Sequence, residues 1–382
     1  MQENHSQKLL DFRKEDAKKM MKILYDSQAF SMQSFGGVSR YFNKLCLYNG
    51  GAFETAVSGL FSENIYAQKL SGLKPFPIKN KFKGKSRLVG ALNSLADKAA
   101  VRRAAYDVYH PSYYFVPAVP KNKPLVLTVH DFIHEIAPES FPPSDKTSLA
   151  KARAIKSASR IIAISENTKK DLLNFFPFVD ESRVDVVLHA IEWEKRRKQS
   201  LPFEMEKPYV LFTGGRRGYK NFIPFAKSLA PLLVKYDLLL LCTGSPFSQE
   251  EAAALEAFGI GGRSRSFFAD EGQLRSIYEN ALFFCFPSLL EGFGFPILEA
   301  FVSGCPVLLS DASCFPEIAG DAALYFDPKS QDSMTSVLES AIQSESLRAR
   351  LAKKGSERFE KFTMESMIKG TAAVYQKALQ SF

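Results

Sequence analysis

Short apolar runs alternate with longer helix-like stretches along most of this chain, and that alternation limits the folds open to it. Two series of such runs are separated by a charged, non-periodic stretch. The first series is 22–27, 107–110, 124–131, 160–165 and 183–189; the second is 208–215, 237–244, 265–268, 281–286, 306–311 and 323–327. Strands that alternate with helices form parallel sheets covered by helices on both faces. The sequence therefore predicts an α/β protein with two doubly wound, Rossmann-like domains.

The length of the chain also supports two domains. A chain of 382 residues exceeds the usual size of one hydrophobic core, and 46% hydrophobic residues supply enough apolar surface for two. We expect a polar extension over residues 1–20, an N-terminal domain over 21–191 and a linker over 192–207. A C-terminal domain should follow over 208–363, with a last helix over 364–382.

Cysteine usage and hydropathy bear on the compartment. The five cysteines are odd in number and scattered, and they include no C-x-x-C pair, which favours reduced core thiols over a disulfide or zinc framework. The most apolar candidate for a membrane span, 230–242, is interrupted by Lys235 and Asp237. The N-terminus lacks the apolar core of a signal peptide. We therefore expect a cytoplasmic protein.

The clearest functional signal lies in the segment PSLLEGFGFPILEAFVSGCPVL. Gly292 and Gly294 should leave the backbone exposed and free to adopt positive φ. Pro296 suits the first helical position, and Gly304 suits the end of the helix. From Phe295 onward, a helix that opens at the C-terminal edge of a parallel sheet presents unpaired N–H groups and the positive end of its dipole. These features predict a diphosphate-binding site.

Two glutamates, Glu291 and Glu299, flank this turn. On one continuous helix their eight-residue spacing would place them on a single solvated face, but two glycines and a proline intervene. We therefore expect Glu291 in the loop and Glu299 in the first helical turn, both directed at one crevice. Carboxylates only accept hydrogen bonds, so their expected partners are hydroxyls. The pattern predicts a site for the sugar and the ribose of a nucleotide-linked sugar.

These residues resemble a known family. The segment EGFGFPILE looks like the E-x7-E motif of the retaining GT-B-fold glycosyltransferases of family four, the "glycosyl transferases group 1" set. Further segments follow in the order expected of that family: FSMQSFGGVSRYF, LTVHDFIHEIAPESFP, RIIAISENTKKDL, TGGRRGYKN and DAALYFDP. The resemblance covers about residues 21–380 and is closest to bacterial polysaccharide mannosyl- and rhamnosyl-type transferases. It implies a GT-B fold, with two domains facing across a cleft and the helix at 364–382 returning toward the first.

The basic loop TGGRRGYKN follows the first strand of the predicted C-terminal domain. No D-x-D pair stands out, so we expect no metal or other cofactor, and protein cations should stabilise a departing diphosphate. By resemblance, Arg216 and Lys220 meet that diphosphate. The loop is shorter than is common in the family and Arg217 is equally basic, so the choice between the two arginines stays open. A merely solvated basic turn is the alternative.

The N-terminal domain offers two glycines and a histidine. Gly36 and Gly37 would let the backbone approach a ligand, and the resemblance places them beside the diphosphate and the acceptor. His130 ends an apolar strand at the edge where such sheets carry their sites, and the matching histidine of the family contacts the transferred sugar. Asp131 is compatible with capping the next turn. Ser165 either donates to a phosphate or caps the following helix, and the cap is favoured.

By resemblance, these residues imply transfer of a hexose from a nucleoside diphosphate sugar to an acceptor hydroxyl, with retention at the anomeric carbon. The departing phosphate would take the proton of the acceptor, so no protein base is demanded. The base pocket is not legible, and the likeness favours a GDP-sugar such as GDP-mannose. The expected catalytic residues are His130, Glu291, Arg216 and Lys220. The expected donor-binding residues are Gly36, Gly37, Arg216, Lys220, Glu291, Gly292, Phe293, Gly294, Phe295 and Glu299.

Other functions stay open at this point. A sugar-nucleotide epimerase or a phosphorylase would share two facing domains, although no cofactor lysine of a phosphorylase is identifiable and the E-x7-E spacing favours a transferase. The chain could also be a catalytically silent sugar-nucleotide binder that acts as an assembly partner. Release of nucleotide from a donor, followed by linkage of the sugar to an acceptor, separates these alternatives.

Basic residues concentrate in the first half of the chain. Residues 1–200 carry a net charge of +12, and residues 201–382 carry −3. Part of this excess lies in KPFPIKNKFKGKSR (74–87), where lysines alternate with apolar residues such as Phe76 and Ile78. Such a segment can lie on anionic lipid, with its apolar residues inserted shallowly. It predicts docking at the inner membrane face, where a lipid-linked glycan acceptor would be presented; a solvated loop is the alternative. No nucleic-acid-binding motif accompanies it.

Overall fold

The structure, a computed structural model, describes residues 20–32, 34–78, 84–192 and 206–382, which divide into two compact units. Unit 1 consists of the described residues up to Leu127, together with Ser157–Arg160 and Ala372–Phe382. Unit 2 consists of Thr128–Lys156 and the described residues of Ile161–Thr371. The extension at 1–20 and the linker at 192–207 lie almost wholly outside the described residues. The domain boundaries drawn from the sequence therefore stay predictions.

The strands occur where the apolar runs predict them. They are β1 (Lys22–Tyr25), β2 (Glu54–Val57), β3 (Val108–His110), β4 (Val126–Val129), β5 (Arg160–Ala163), β6 (Val184–Val186), β7 (Tyr209–Thr213), β8 (Leu239–Thr243), β9 (Ser264–Phe267), β10 (Phe283–Phe286), β11 (Val307–Ser310) and β12 (Ala323–Phe326). Only β2 was not among the expected strands. Its side chains alternate between exposed and half-buried, so it lacks an apolar run.

The α-helices of the described residues connect these strands. They are α1 (Gln28–Met32), α2 (Gly37–Leu47), α3 (Lys85–Arg103), α4 (Ile133–Ile136), α5 (Thr147–Ser157), α6 (Glu166–Phe175), α7 (Phe222–Lys235), α8 (Gln249–Ala257), α9 (Glu271–Asn280), α10 (Phe295–Val302), α11 (Phe315–Ala319), α12 (Gln331–Gln343), α13 (Glu345–Phe359) and α14 (Met364–Gln380). Short 3₁₀ segments lie at Ala67–Lys69, Pro138–Ser140, Glu181–Arg183, Gly218–Lys220, Gly261–Arg263 and Gly320–Ala322. None of the described helices has both the length and the apolar composition required to span a bilayer.

Unit 1 contains a parallel sheet in the order β2-β1-β3. The last part of α14 packs into this unit, where Tyr375 is fully buried. Its hydroxyl lies 2.9 Å from the hydroxyl of Tyr25 at the end of β1 and 2.7 Å from Nδ1 of His110 at the end of β3. Buried polar groups need partners, so these three side chains satisfy one another. The contacts fix the carboxyl ends of β1 and β3.

Unit 2 contains a six-stranded parallel sheet in the order β12-β11-β10-β7-β8-β9. Helices cover both faces, so most side chains of the strands are buried, which explains their continuous apolar runs. The chain adds β8 and β9 on one side of β7 and then β10, β11 and β12 on the other. Ligands of such sheets bind beyond the carboxyl ends of the strands where this reversal occurs. The site is therefore expected between the loops that follow β7 and β10.

A further sheet, in the order β4-β5-β6, has most of its residues in unit 2. Together, the parallel pairings of all three sheets confirm the predicted α/β class. All five cysteines are free, as expected, and Cys242, Cys285, Cys305 and Cys314 are buried.

The structure corrects part of the prediction for the basic segment 74–87. Phe76 is buried against Phe61, with ring centroids 5.1 Å apart, so it cannot insert into lipid. Lys85 forms an ion pair with Glu63, which takes one of the expected cations. Ile78 is exposed, and residues 79–83 lie outside the described residues. Docking of this segment on a membrane stays a prediction.

Candidate functional site

An ion pair joins the loops that follow β7 and β10. Nζ of Lys220 lies 2.6 Å from Oε1 of Glu291, and both side chains are mostly buried. The ammonium also lies over the ring of Phe286, 5.4 Å from its centroid. Burial lowers the pKa of Lys220, but the attraction of Glu291, with a smaller contribution from Asp131, raises it above its ordinary value. Two predicted site residues thus meet as a charged pair at the point where the strand order reverses.

The backbone of Glu291 is held by Ser313. The Oγ atom of Ser313 accepts a hydrogen bond from the N–H of Glu291 at 3.1 Å and donates to its carbonyl at 2.6 Å. Ser313 itself adopts a left-handed conformation, with φ of 55°, which is uncommon for residues other than glycine. The position of the Glu291 carboxylate is therefore set by its backbone as well as by Lys220.

Gly292 lies against the end of β4. A Cβ atom placed on it would lie 1.7 Å from the carbonyl oxygen of His130, so no other residue fits without movement of the backbone. Ser165 Oγ donates to the carbonyl of Gly292 at 2.9 Å. The expectation of exposed glycines is wrong, because both Gly292 and Gly294 are buried. His130 and Ser165 lie against Gly292, whereas Ile297 and Phe315 lie against Gly294. Only Gly294, with φ of 90°, has the predicted positive φ.

Helix α10 begins as the sequence indicates. Gly294 is its N-cap, and Gly304 follows its end with φ of 67°. Pro296 is the second residue of the helix rather than the first. Glu299, however, is the fifth residue of the helix, so its predicted place in the first turn is wrong. The reason is that the left-handed Gly294 lets the helix begin at Phe295. Glu299 is buried, and the hydroxyl of Tyr278 donates to its Oε2 at 3.4 Å.

His130 directly follows β4 and is buried beside a second histidine, His189, with ring centroids 5.9 Å apart. His189 is stacked on Phe295 at 5.0 Å, which connects the pair to the start of α10. Burial lowers the pKa of His130 to about 4; Asp131 raises it in part, and Lys151 lowers it further. Burial also lowers the pKa of His189 well below its ordinary value. At neutral pH both imidazoles are therefore uncharged.

Arg216 is buried and fixed by the loop that follows β8. Its Nη2 atom donates to the carbonyls of Ser245 at 2.7 Å and Pro246 at 2.9 Å, and its Nε atom lies 3.1 Å from Glu251 Oε2. Within the described part of the chain, its Nη1 atom has no hydrogen bond or ion pair. Arg217, the alternative raised by the sequence, is exposed. Arg216 is thus a rigid guanidinium with one edge bound to the protein.

The segments that the sequence predicts to be capping elements behave as expected. Ser165 Oγ accepts from the N–H of Thr168 at 3.0 Å, so the favoured capping role of Ser165 is confirmed. Asp131 Oδ1 accepts from the N–H of Ile133 at 3.1 Å in the turn after β4. The basic loop TGGRRGYKN packs against the segment that follows β4, because a Cβ on Gly218 would lie 2.8 Å from Ser140 Oγ. This loop, the segment after β4 and the turn at Gly292 therefore lie close together in unit 2.

Gly36 and Gly37 lie in unit 1, at the start of α2. Gly37 is the first residue of α2, and Gly36 is its N-cap with φ of 167°. This is extended backbone that any residue adopts. Their proposed place beside the diphosphate stays a prediction.

Sequence reasoning did not identify three residues that shape this site: Lys151, His189 and Ser313. Lys151 occupies the buried face of α5, where a lysine among alanines is a detectable signal. His189 also follows an apolar strand, but no matching motif accompanies it, so the sequence assigns it no role. Ser313 gives no local signal, because its role depends on the distant Glu291.

We expect the imidazole of His130 to remain uncharged throughout the range from pH 5.5 to 8. In the folded protein its pKa lies near 4, below the ordinary 6.5. As the pH falls below 6.5, the unfolded chain therefore binds a proton at His130 before the folded protein does, and the free energy of unfolding decreases. Heteronuclear NMR of histidine side chains, assigned with His130→Gln, measures this titration. A His130 midpoint near 6.5 would contradict the buried position.

We expect Gly292→Ala to lower the free energy of unfolding by roughly 1–3 kcal/mol, because its methyl group overlaps the carbonyl of His130. Gly262→Ala is the matched control, since Gly262 is exposed and a Cβ there meets no atom within 4 Å. The control should change stability by less than about 1 kcal/mol. Urea denaturation measures both variants, and equal stabilities would show that the close approach at Gly292 is incorrect.

Two protein-family descriptions match successive parts of this chain. The family description "Glycosyltransferase Family 4" matches residues 35–195, and "Glycosyl transferases group 1" matches residues 194–358. The chain is 25% identical over 284 residues to the O-antigen chain mannosyltransferase B of Escherichia coli, which covers 70% of this chain and 74% of that protein. It is 24% identical over 231 residues to the O-antigen chain mannosyltransferase RfbU of Salmonella typhimurium, with coverages of 59% and 63%.

Solved structures show the same fold at lower identity. The sucrose-phosphate synthase of Thermosynechococcus elongatus superimposes with a TM-score of 0.71 at 16% identity, covering 95% of this chain and 100% of that one. Adjacent family matches, a parallel sheet in each unit and this structural likeness lead to one conclusion: the chain belongs to the GT-B-fold glycosyltransferases, with a family four segment followed by a group 1 segment.

Proposed function

We propose that this chain transfers a hexose from a nucleoside diphosphate sugar to a hydroxyl of a glycan or lipid-linked glycan, in the synthesis of a cell-surface polysaccharide. The observation that carries the proposal is the Lys220–Glu291 ion pair, which lies beyond the strand ends at the switch point of the sheet. The relatives named as O-antigen mannosyltransferases make GDP-mannose the first donor to test.

When the donor binds, Lys220 and Glu291 separate and each binds a part of the donor instead. A diphosphate attracts Lys220 and the N–H groups at the start of α10. Glu291 then accepts hydrogen bonds from hydroxyls of the sugar in place of those from Lys220. Each charged group keeps a partner in both states, so the exchange avoids the cost of a buried, unpaired charge. Glu291 is accordingly assigned to the sugar and Lys220 to the leaving diphosphate.

Glu299 is assigned to the ribose. Its carboxylate is buried in the helix that begins at Phe295, and Tyr278 holds one oxygen through a long hydrogen bond of 3.4 Å. A carboxylate has about four acceptor positions, so Glu299 can also accept from two ribose hydroxyls. Arg216 complements it from the loop after β7, because its Nη1 edge can donate to a phosphate oxygen while the rest of the guanidinium stays anchored.

His130 is assigned to the transferred sugar. As an uncharged imidazole it can donate one hydrogen bond and accept another, which suits a sugar hydroxyl. It adds no positive charge that would compete with Lys220 for the diphosphate. In a retaining reaction through an oxocarbenium-like state, the departing phosphate takes the proton of the acceptor hydroxyl, so none of these side chains acts as the base.

The leaving group is assigned to protein cations rather than to a metal ion. The sequence has no D-x-D motif, and Lys220 and Arg216 supply two fixed positive charges near the switch point. Fixed charges that need no rearrangement stabilise developing negative charge effectively. The reaction should therefore proceed in the presence of EDTA.

We expect Lys220→Ala to lower kcat/KM for GDP-mannose by roughly 10²-fold or more, because it removes a charge that stabilises the leaving diphosphate. Release of GDP, measured with EDTA present and an oligomannose acceptor, reports the rate. Lys235→Ala is the matched control: Lys235 is also paired, with Glu339 at 2.7 Å, but is exposed on the last turn of α7. The control should stay within about twofold of the wild type.

Two outcomes would contradict this assignment. One is a Lys220→Ala enzyme as active as the wild type, and the other is complete loss of wild-type activity with EDTA. Binding of the donor without any release of nucleotide, across a panel of GDP- and UDP-sugars, would instead favour a silent sugar-nucleotide binder.

A further inference from the structure

Lys151 is a fully buried lysine that the proposed reaction does not use. It lies on the inward face of α5, beside the buried Ala150, Ala154 and Ile155, and its side chain is 0% exposed. Transfer of an ammonium group from water into a protein interior is strongly unfavourable unless specific partners receive it. The partners of the Lys151 ammonium group therefore show which part of the protein it stabilises.

Four contacts of Lys151 lie on the turn that follows His130. Nζ of Lys151 donates to the carbonyl of Asp131 at 2.8 Å and to Oε2 of Glu135 at 2.7 Å. It lies 4.0 Å from Oδ1 of Asp131 and 4.8 Å from the ring centroid of Phe132. A single ammonium group thus binds three of the five residues after His130. It fixes the path of the chain from β4 into α4.

The same turn forms one wall of the candidate site. The carbonyl of His130 is the atom that excludes a side chain at Gly292. The carboxylate of Asp131 contributes to the raised pKa of Lys220. A displacement of the turn would therefore move His130 relative to the Glu291–Gly294 segment. It would also alter the charges around Lys220.

We propose that Lys151 is a positioning residue for the transfer reaction, which from the interior holds the His130–Glu135 turn in place against the Glu291–Gly294 segment. The inference rests on the proposed function, because it acts through His130 and Lys220. Lys151 itself contacts neither substrate nor leaving group in this account.

The charge of Lys151 provides a readout that a merely structural role would not change. Two charged groups act on the ionisation of His130, namely Asp131 in its own turn and Lys151 from α5. The imidazole of His189, which follows β6, lies beside it and is uncharged at neutral pH. Burial and Lys151 both lower the pKa of His130, whereas Asp131 raises it. Removal of the ammonium should therefore raise the pKa of His130 from about 4 toward its ordinary value.

The test uses the double variant Lys151→Met/Glu135→Gln. It removes both members of the buried pair, so neither remains as an unpaired charge. We expect the His130 midpoint to rise in NMR titrations. With GDP-mannose, kcat should fall about tenfold or more while KM for the donor changes little, since a displaced catalytic group affects the transition state most. Lys156→Met, an exposed lysine on the same helix, is the matched control and should match the wild type.

Lys151→Arg separates geometry from charge and serves if the double variant does not fold. It keeps the positive charge, but a planar guanidinium cannot reproduce both short hydrogen bonds of the ammonium. We expect its His130 midpoint to stay low while kcat falls. A wild-type kcat in the folded variants would overturn the inference. So would a wild-type His130 titration in the folded double variant, whether or not GDP-mannose proves to be a donor. Failure of the wild type to release nucleotide from any donor would refute the proposed function instead.

Discussion

The buried ion pair between Lys220 and Glu291 is the interaction on which the rest of the site depends. It joins the two strands, β7 and β10, between which the chain reverses its direction of winding, so it lies where parallel sheets bind ligands. Neither charge would be stable there alone. Ser313 fixes the backbone of Glu291, and the absence of a side chain at Gly292 allows its backbone to lie close to the carbonyl of His130. The pair is therefore a structural link between the two loops, and in the proposed function it exchanges its partners for a diphosphate and a sugar.

Two kinds of buried side chain surround this pair, uncharged histidines and an anchored arginine. His130 and His189 are buried and uncharged at neutral pH, so they add no positive charge to the site. His189 is stacked on Phe295 at the start of α10. Arg216 keeps its charge but is anchored to backbone carbonyls, which restricts it to one orientation. Such preorganisation matters because groups that are already in place need not rearrange as charge develops in the transition state. The proposed function thus assigns binding of the sugar, binding of the ribose and stabilisation of the leaving group to different side chains.

Local pattern was enough to predict every described strand except β2, and the start of α10 to within one residue. Apolar runs, a proline and two glycines act on their nearest neighbours in the chain, so their effect is visible in the sequence. The errors arose where a distant contact decides the outcome. Gly292 is buried because His130 and Ser165 cover it, and Phe76 is buried because Phe61 does. The edge strand β2 has no apolar run to reveal it, and the partners of Arg216 come from a loop that the sequence does not connect to it.

The central claim is that Lys220 and Glu291 exchange partners when a nucleoside diphosphate sugar binds. Calorimetry of GDP and UDP binding to the wild type, Glu291→Gln and Glu299→Gln tests it most directly, because the free nucleotide carries the diphosphate and ribose but no sugar. Glu291→Gln should bind the preferred nucleotide at least as tightly as the wild type, since it releases Lys220 from its internal partner. Glu299→Gln should bind it about tenfold more weakly or worse, through loss of hydrogen bonds to a charged acceptor. Much weaker binding by Glu291→Gln, or wild-type binding by Glu299→Gln, would contradict the account.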